Sequence, residues 1–312
     1  MQIKSLLITL LAPMENHIAN GGEKLLGNAS SIKRRPDGKV YVSGQMQRHV
    51  LFIAMERLNE DDANKGNTFI SNGDGIGNTI ETDIRADLGG FMHPSAGDYS
   101  GRRTAPLSVT PAIALKESEI GRDLMLRLST LDRNNAVATR EFSQGDIMHM
   151  NFSLDIAAVG VSKVFRYENN FHINSEYIQH TTNDERKRRV KLFIEATRMM
   201  NDYANQARNA ISGEPQQVLI VFDSKMSRKA SRFFVADEIE KANILAELKE
   251  RNGENSYFYG NDVIGNSEPK EGGVGNVTWA YSKALDYLSN NALYNPCPPD
   301  TTAQTFAETF PA

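Results

Sequence analysis

Between residues 147 and 158 the chain reads IMHMNFSLDIAA, and this strict alternation limits the fold more than any other feature. Met148, Met150, Phe152, Leu154 and Ile156 fall on one side of an extended chain, and His149, Asn151, Ser153 and Asp155 on the other. A strand of this kind needs partners. Residues 218–222 (VLIVF) are wholly apolar, as central strands are, and 3–11 (IKSLLITLL) are rich in Leu and Ile.

Helical signals separate these strands. Residues 45–59 place Met46, Val50, Ile53, Arg57 and Leu58 at helical spacing behind Ser43, a side chain suited to an N-cap. The stretch from Thr182 to Glu185 is a capping box that opens a predicted helix over 183–211. Its inward face is read as Val190, Ile194, Thr197, Ala204, Ala207 and Ile211, with Gly213 and Pro215 ending it. Further helices are expected at 83–92, 234–251 and 277–291. Residues 104–116 set β-branched residues between prolines and predict an edge strand. Residues 60–79 read as a polar loop or insertion, 117–146 as a projecting arm or hairpin, and 295–312 as a frayed tail. Stripped of insertions, the order is strand, helix, strands, helix, strand. That is the α+β, split βαβ pattern of ferredoxin-like and RNA-recognition-motif folds.

Several chemistries drop out at this level. GGEKLLGN (21–28) has Asn28 where a phosphate loop needs lysine, and GDGIG (73–77) misses the dinucleotide spacing. SNGDGIGNTIETD puts Ile76 at a calcium-ligand position. The six histidines are scattered, and the lone cysteine, Cys297, sits in a Pro-rich tail, so neither a disulfide framework nor a cysteine zinc site is expected. No cofactor or metal is expected. No run reaches the roughly 18 apolar residues of a membrane span, and the N-terminus lacks a signal-peptide cleavage pattern, so a cytoplasmic protein without a membrane partner is the expectation.

What remains is polyanion chemistry. The chain carries a net charge of −4, yet residues 184–191 (DERKRRVK) and 225–232 (KMSRKASR) are locally basic. Each is either a solvated face or a stripe that grips a polyanion, because screening removes distant charge beyond about 8 Å. Lys33, Arg34, Arg35 and Lys39 flank a Pro-Asp-Gly turn that leads to Ser43, Gly44, Gln45 and Arg48 at a helix start. Helix N-termini bind phosphate through free N–H groups, and these side chains add donors beside them. Arg102, Arg103 and Arg140 are further candidates, and Phe91, Tyr99 and Phe142 are candidates for base stacking.

These blocks carry a resemblance. HIANGGEKLLGNASSIKRRPDGKVYVSGQMQRHVLFIAME, DIRADLGGFM, RRTAPLSVTPAIAL and FSLDIAAVGV, in that order across about residues 1–222, resemble the DevR-type backbone subunit of class 1 CRISPR effector complexes, Cascade among them. The resemblance implies an RNA-recognition-motif-like palm over 1–294 with a finger-like insertion (60–103) and a thumb (117–146). It implies copies of the chain polymerised along a CRISPR RNA, beside other Cascade subunits, presenting the RNA to target DNA. It places RNA contacts on Lys33, Arg34 and Arg35 and on the pattern Ser43, Gly44, Gln45 and Arg48, and it makes DIRADLGGFM structural. Such a subunit is not an enzyme. Two other readings stay open: an RNA-cutting relative using Asp37 or Glu15, and a DNA-binding regulator. A further expectation is that acidic Asp237, Glu238 and Glu240 meet the basic run 225–232 of a neighbouring copy.

Overall fold

The computed structural model describes residues 2–26, 29–75, 77–92, 102–127, 136–270 and 273–310. Gly27, Asn28, Ile76 and Tyr99 lie outside them, as do 128–135 of the expected arm and the last two residues of the tail. Strands β1 (Ser5–His17), β2 (Glu23–Lys24), β3 (Ala29–Ser31) and β4 (Tyr41–Val42) precede helix α1 (Gly44–Glu60). There follow α2 (Ile84–Gly89), β5 (Phe91–Met92), β6 (Arg102–Arg103), β7 (Leu107–Val109), β8 (Ala112–Ala114), β9 (Ile120–Arg127) and β10 (Ala136–Asp155). A hairpin of β11 (Val161–Glu168) and β12 (Phe171–Gln179) leads to α3 (Asn183–Ala196) and α4 (Gln206–Asn209). The chain ends with β13 (Gln217–Asp223), α5 (Glu238–Asn252), β14 (Tyr257–Asn261), α6 (Val277–Asn290) and α7 (Phe306–Thr309).

The fold is mixed α+β around one large mixed sheet. Ten of the described strands join in it, in the order β14–β13–β1–β10–β3–β2, with β7, β8 and β9 also on β10 and β4 on β8. Every pairing in it is antiparallel except β10 with β3. Helices α1, α3 and α6 cover one face, burying Phe52, Phe193 and Tyr281 with Ile8, Met150, Phe152 and Phe222. On the other face a 3-10 helix (Lys229–Val235) and α5 bury Phe233, Ile244 and Leu248 against Leu7, Leu219 and Val221. Covered on both sides, β13 is apolar at successive positions. The alternation of β10 reflects one fully covered face, since Met148, Met150, Phe152 and Leu154 are fully buried while His149, Asn151 and Asp155 on the other remain partly exposed.

Three expectations need correction. The helix predicted over 183–211 stops at Ala196, because Thr197 caps it: its hydroxyl donates back to the Ile194 carbonyl (2.7 Å) and bonds the Tyr281 hydroxyl (3.0 Å). The 104–116 segment is an edge only in part: it splits into β7, paired with β10 alone among the described strands, and β8, which lies between β10 and β4. The tail does not fray over its described part. A capping box between Thr305 and Glu308 forms a short helix that buries Phe306 against Phe91, ring centroids 5.4 Å apart. Cys297 is buried as well.

Candidate nucleic-acid interface

The basic turn is built by local chemistry. Arg34 bridges to Val40, the Arg35 N–H donates to the Lys39 carbonyl (2.9 Å), and Gly38 closes the bend at φ +77°. A positive φ at that point suits glycine. Asn20 clamps the two limbs, donating to the Lys33 and Tyr41 carbonyls at 2.9 and 3.0 Å. Beneath the turn, the Val40 N–H donates to Ser118 Oγ, which donates in turn to Asp146. Asp146 also accepts from Ser143 and pairs with fully buried His17 at 2.8 Å. Burial alone would raise the Asp146 carboxyl, but hydrogen bonds from His17, Ser118 and Ser143 hold it below the usual carboxylate range.

This platform leaves the turn's cations at the surface. Arg34 and Arg35 are exposed and Lys33 and Lys39 half-buried. Arg35 pairs with Asp37 at 3.7 Å, and Arg34 reaches Glu141 only at 4.0 Å, a carboxylate already bonded by Arg122 at 3.2 Å. Among the described residues Lys33 and Lys39 have no ion pair. Arg140 lies nearby on β10, its backbone paired with Ser30 of β3 and its side chain directed at Asn205 (3.5 Å). Glu15, Glu117, Glu119 and Asp146 line a cavity of about 490 Å³, so acid and base lie close together here.

The start of α1 follows the expected pattern for physical reasons. Ser43 takes extended dihedrals and its Oγ accepts the Met46 N–H at 3.2 Å. A Cβ on Gly44 would come within 2.9 Å of the Val109 carbonyl, so β7 can approach only a glycine. Gln45 is exposed. Arg48 turns away from the basic loop and donates to the Gly89 carbonyl at the end of α2. Replacing Ser43 with alanine should cost about 1 kcal/mol of stability, read as a lower urea midpoint at constant m.

Other candidates fall elsewhere. The Arg103 guanidinium is buried and commits all five N–H donors inside the protein: to the Asp87 carbonyl and carboxylate, the Val161 and Ala158 carbonyls, and Ser162. It has no donor left for phosphate and is a core residue. Arg102 pairs through its backbone with Met92. Phe91 packs on Phe306, and Phe142 fills the space above Gly121, so these two rings serve packing.

The arginines of 184–191 turn out to be committed within the chain, and 225–232 is partly so, with Lys225 and Arg228 exposed and without an ion pair among the described residues. Arg186 and Arg189 are fully buried. Arg186 donates to the Val159, Ile156 and Tyr294 carbonyls, and Arg189 to Asp87, Glu185 and the Ile80 and Glu81 carbonyls. Arg188 is held by Glu185, Asp62 and Thr68. In 225–232, Lys229 pairs with Glu247 and Arg232 with Glu240, while Lys241 pairs with Glu238. Of the acidic residues expected to meet a neighbouring copy, Glu238 and Glu240 thus have partners in their own chain and Asp237 caps α5.

Sequence reasoning missed the β11–β12 hairpin. Asn169 and Asn170 turn it at φ 50° and 67°, the primed-turn signature, which was readable in FRYENNFHINSEY. Phe165, Tyr167 and Tyr177 stand 50, 63 and 40% exposed, with His172 edge-on to the first two and Lys163 over Phe165 and Tyr177. Such a row can stack on bases or on another protein. Among the described residues no three His, Cys, Asp or Glu side chains converge as a metal site requires, and no helix is long and apolar enough to cross a membrane.

Comparison with known proteins adds to this geometry. The family model described as CRISPR-associated negative auto-regulator DevR/Csa2 matches residues 17–210. A solved chain titled "CRISPR RNA-guided surveillance complex" is similar over 91% of this chain and 99% of its own, at 13% identity and TM-score 0.52. Another, titled "CRISPR RNA-guided surveillance complex, pre-nicking", has the same coverage at 12% identity and TM-score 0.56. At such identities the likeness concerns the fold. No curated protein matches the sequence.

Proposed function

The chain belongs to the DevR/Csa2 family of CRISPR-associated proteins, and from that premise we propose that it is a non-catalytic backbone subunit binding guide RNA in a Cascade-type surveillance complex. Copies of it would line the CRISPR RNA, hold its ribose-phosphate chain and present its bases to target DNA. Such a subunit need not read sequence, because base pairing does so. It needs donors for phosphate and 2′-hydroxyl groups.

The observation that carries the reading is the turn Lys33–Lys39. The buried platform holds it ahead of α1, and among the described residues Lys33 and Lys39 have no ion pair and Arg34 reaches a carboxylate only at 4.0 Å, while Arg186, Arg188, Arg189, Lys229 and Arg232 are committed within the chain. An RNA-recognition-motif-like palm is supported by the strand order β13–β1–β10 with β7 and β8 on the outer side, and by α1 and α3 sharing one face. For the projections, 60–103 is assigned to a finger and 117–146 to a thumb. The β9–β10 hairpin exposes Leu124, Leu126 and Val137, and β11–β12 adds an aromatic arm.

The alternatives find less support. Asp37 accepts its own turn's Lys39 N–H and pairs with Arg35, as a turn former does without catalysis. A regulator that reads DNA needs a presented basic helix, and α3 directs Arg186 and Arg189 inward. Nucleic acid that co-purifies with the chain tests the proposal: short, repeat-derived RNAs of uniform length are expected. Recovery of duplex DNA fragments, or periodic cutting of complementary RNA in magnesium, would overturn it.

A further inference from the structure

Residues 71–75 and Gly77, outside any helix or strand, lie over the start of α2. Ser71 donates its N–H to Asp83, and a Cβ on Gly73 would lie 2.7 Å from Arg85 Nη1, so the backbone rests directly on that guanidinium. Gly73, Gly75 and Gly77 line a cavity of about 210 Å³ with Arg48, Arg85 and the Asp83 carboxylate.

The two arginines lack an anion. Arg85 lies over the Phe52 ring, 4.7 Å from its centroid, which holds the guanidinium in place. Its Nε is buried with no hydrogen-bond partner, and among the described residues its guanidinium has no ion pair. Arg48 has a single carbonyl partner, Gly89. Three acids lie within electrostatic range of Arg85: Asp83, Glu56 and Asp74. The Asp83 carboxylate accepts the Arg85 and Ser71 backbone N–H groups, Asp74 accepts from Asn72, and none of the three pairs with either arginine. Desolvation lowers the pKa of both guanidinium groups, and Arg48 as a like-charged neighbour lowers that of Arg85 further.

We propose that Arg48 and Arg85, with Gly73, Gly75 and Gly77 beside them, form a socket for one phosphate group of a bound RNA strand. The inference rests on the RNA-binding reading and extends it to Arg85 and to the glycines of the finger-like insertion. Size decides the ligand class. Pockets that enclose a whole small molecule measure roughly 300–1,000 Å³, so this smaller cavity suits one phosphodiester of a longer chain. The planar edge of Arg85 matches a phosphate bidentately, and an anion between the arginines relieves their mutual repulsion.

The test uses the full-length chain, a labelled 20-nucleotide single-stranded RNA of mixed sequence, and inorganic phosphate. Arg85→Gln should weaken RNA binding about tenfold at 0.1 M salt and flatten the slope of log K against log salt by about 0.7. Phosphate should raise the melting temperature of the native protein above that in chloride at equal ionic strength, and should not do so for R85Q. Arg48→Gln gives the same phosphate comparison if R85Q does not fold. Native RNA binding with an unchanged R85Q affinity and slope would sink the socket and leave the RNA reading standing. Arg85-dependent phosphate stabilisation without RNA binding would support the socket and overturn the RNA reading. Neither effect would remove both.

Discussion

Replacing Asp87 with alanine lowers the unfolding free energy by about 3–5 kcal/mol, the expected cost of leaving buried charges without their partner. Asp87 is fully buried on α2 and accepts from Arg103, from Arg189 Nη1 at 2.7 Å and from the Gly160 N–H at 3.0 Å. One carboxylate thus ties α2 to β6, to α3 and to the turn before β11. Without it, Arg189 keeps Glu185, and Arg103 keeps the Ser162 hydroxyl and backbone carbonyls but loses the carboxylate it bonds. The melting temperature should fall by roughly 10 °C, with urea unfolding shifted to a lower midpoint at constant m. Asp87→Asn keeps the volume, removes the charge and should fall in between. A melting temperature within 2 °C of the native one would mean that this network does not hold the fold.

Elements whose signals are local were legible. The alternation of β10, the apolar run of β13 and the Ser43 cap depend on neighbours a few residues away, and they emerged as read. The run 184–191 was misread because its meaning is non-local. Arg186 and Arg189 continue the inward face of α3 that Val190 and Phe193 define, at spacings of three and four residues, but an arginine on a core face makes sense only once its acceptors are known. Those acceptors, Asp87 and the carbonyls of Ile80, Ile156 and Tyr294, come from four distant segments. Arg103 failed as a candidate for the same reason. Arg85 was invisible because nothing in DIRADLGG distinguishes it until Phe52 and the glycine-rich segment close around it. The capping box at Thr305 and the Asn-Asn turn of β11–β12 were local and readable, so missing them was an error of reading and not of physics.

Changing Lys33, Arg34 and Arg35 together to alanine should lower guide-RNA affinity by about two to three orders of magnitude at 0.1 M salt, at roughly one order for each lost charged contact. The loss should be nearly independent of RNA sequence, and the salt slope should flatten by about 2, as three fewer phosphate contacts on a single strand require. Stability should change little, since Arg34 and Arg35 are exposed and the turn is held by Asn20, Gly38 and backbone bonds that the substitutions leave intact. The discriminating control is the other basic run. Lys229 and Arg232 are as basic in sequence but are neutralised by Glu247 and Glu240, so their double alanine variant should bind RNA with unchanged affinity and slope. Net charge alone would predict comparable losses per cation from the two variants. Equal losses would therefore mean that RNA responds to the overall field of the protein, and that the turn before α1 is no site; a loss confined to the first variant is what a cationic track centred on that turn demands.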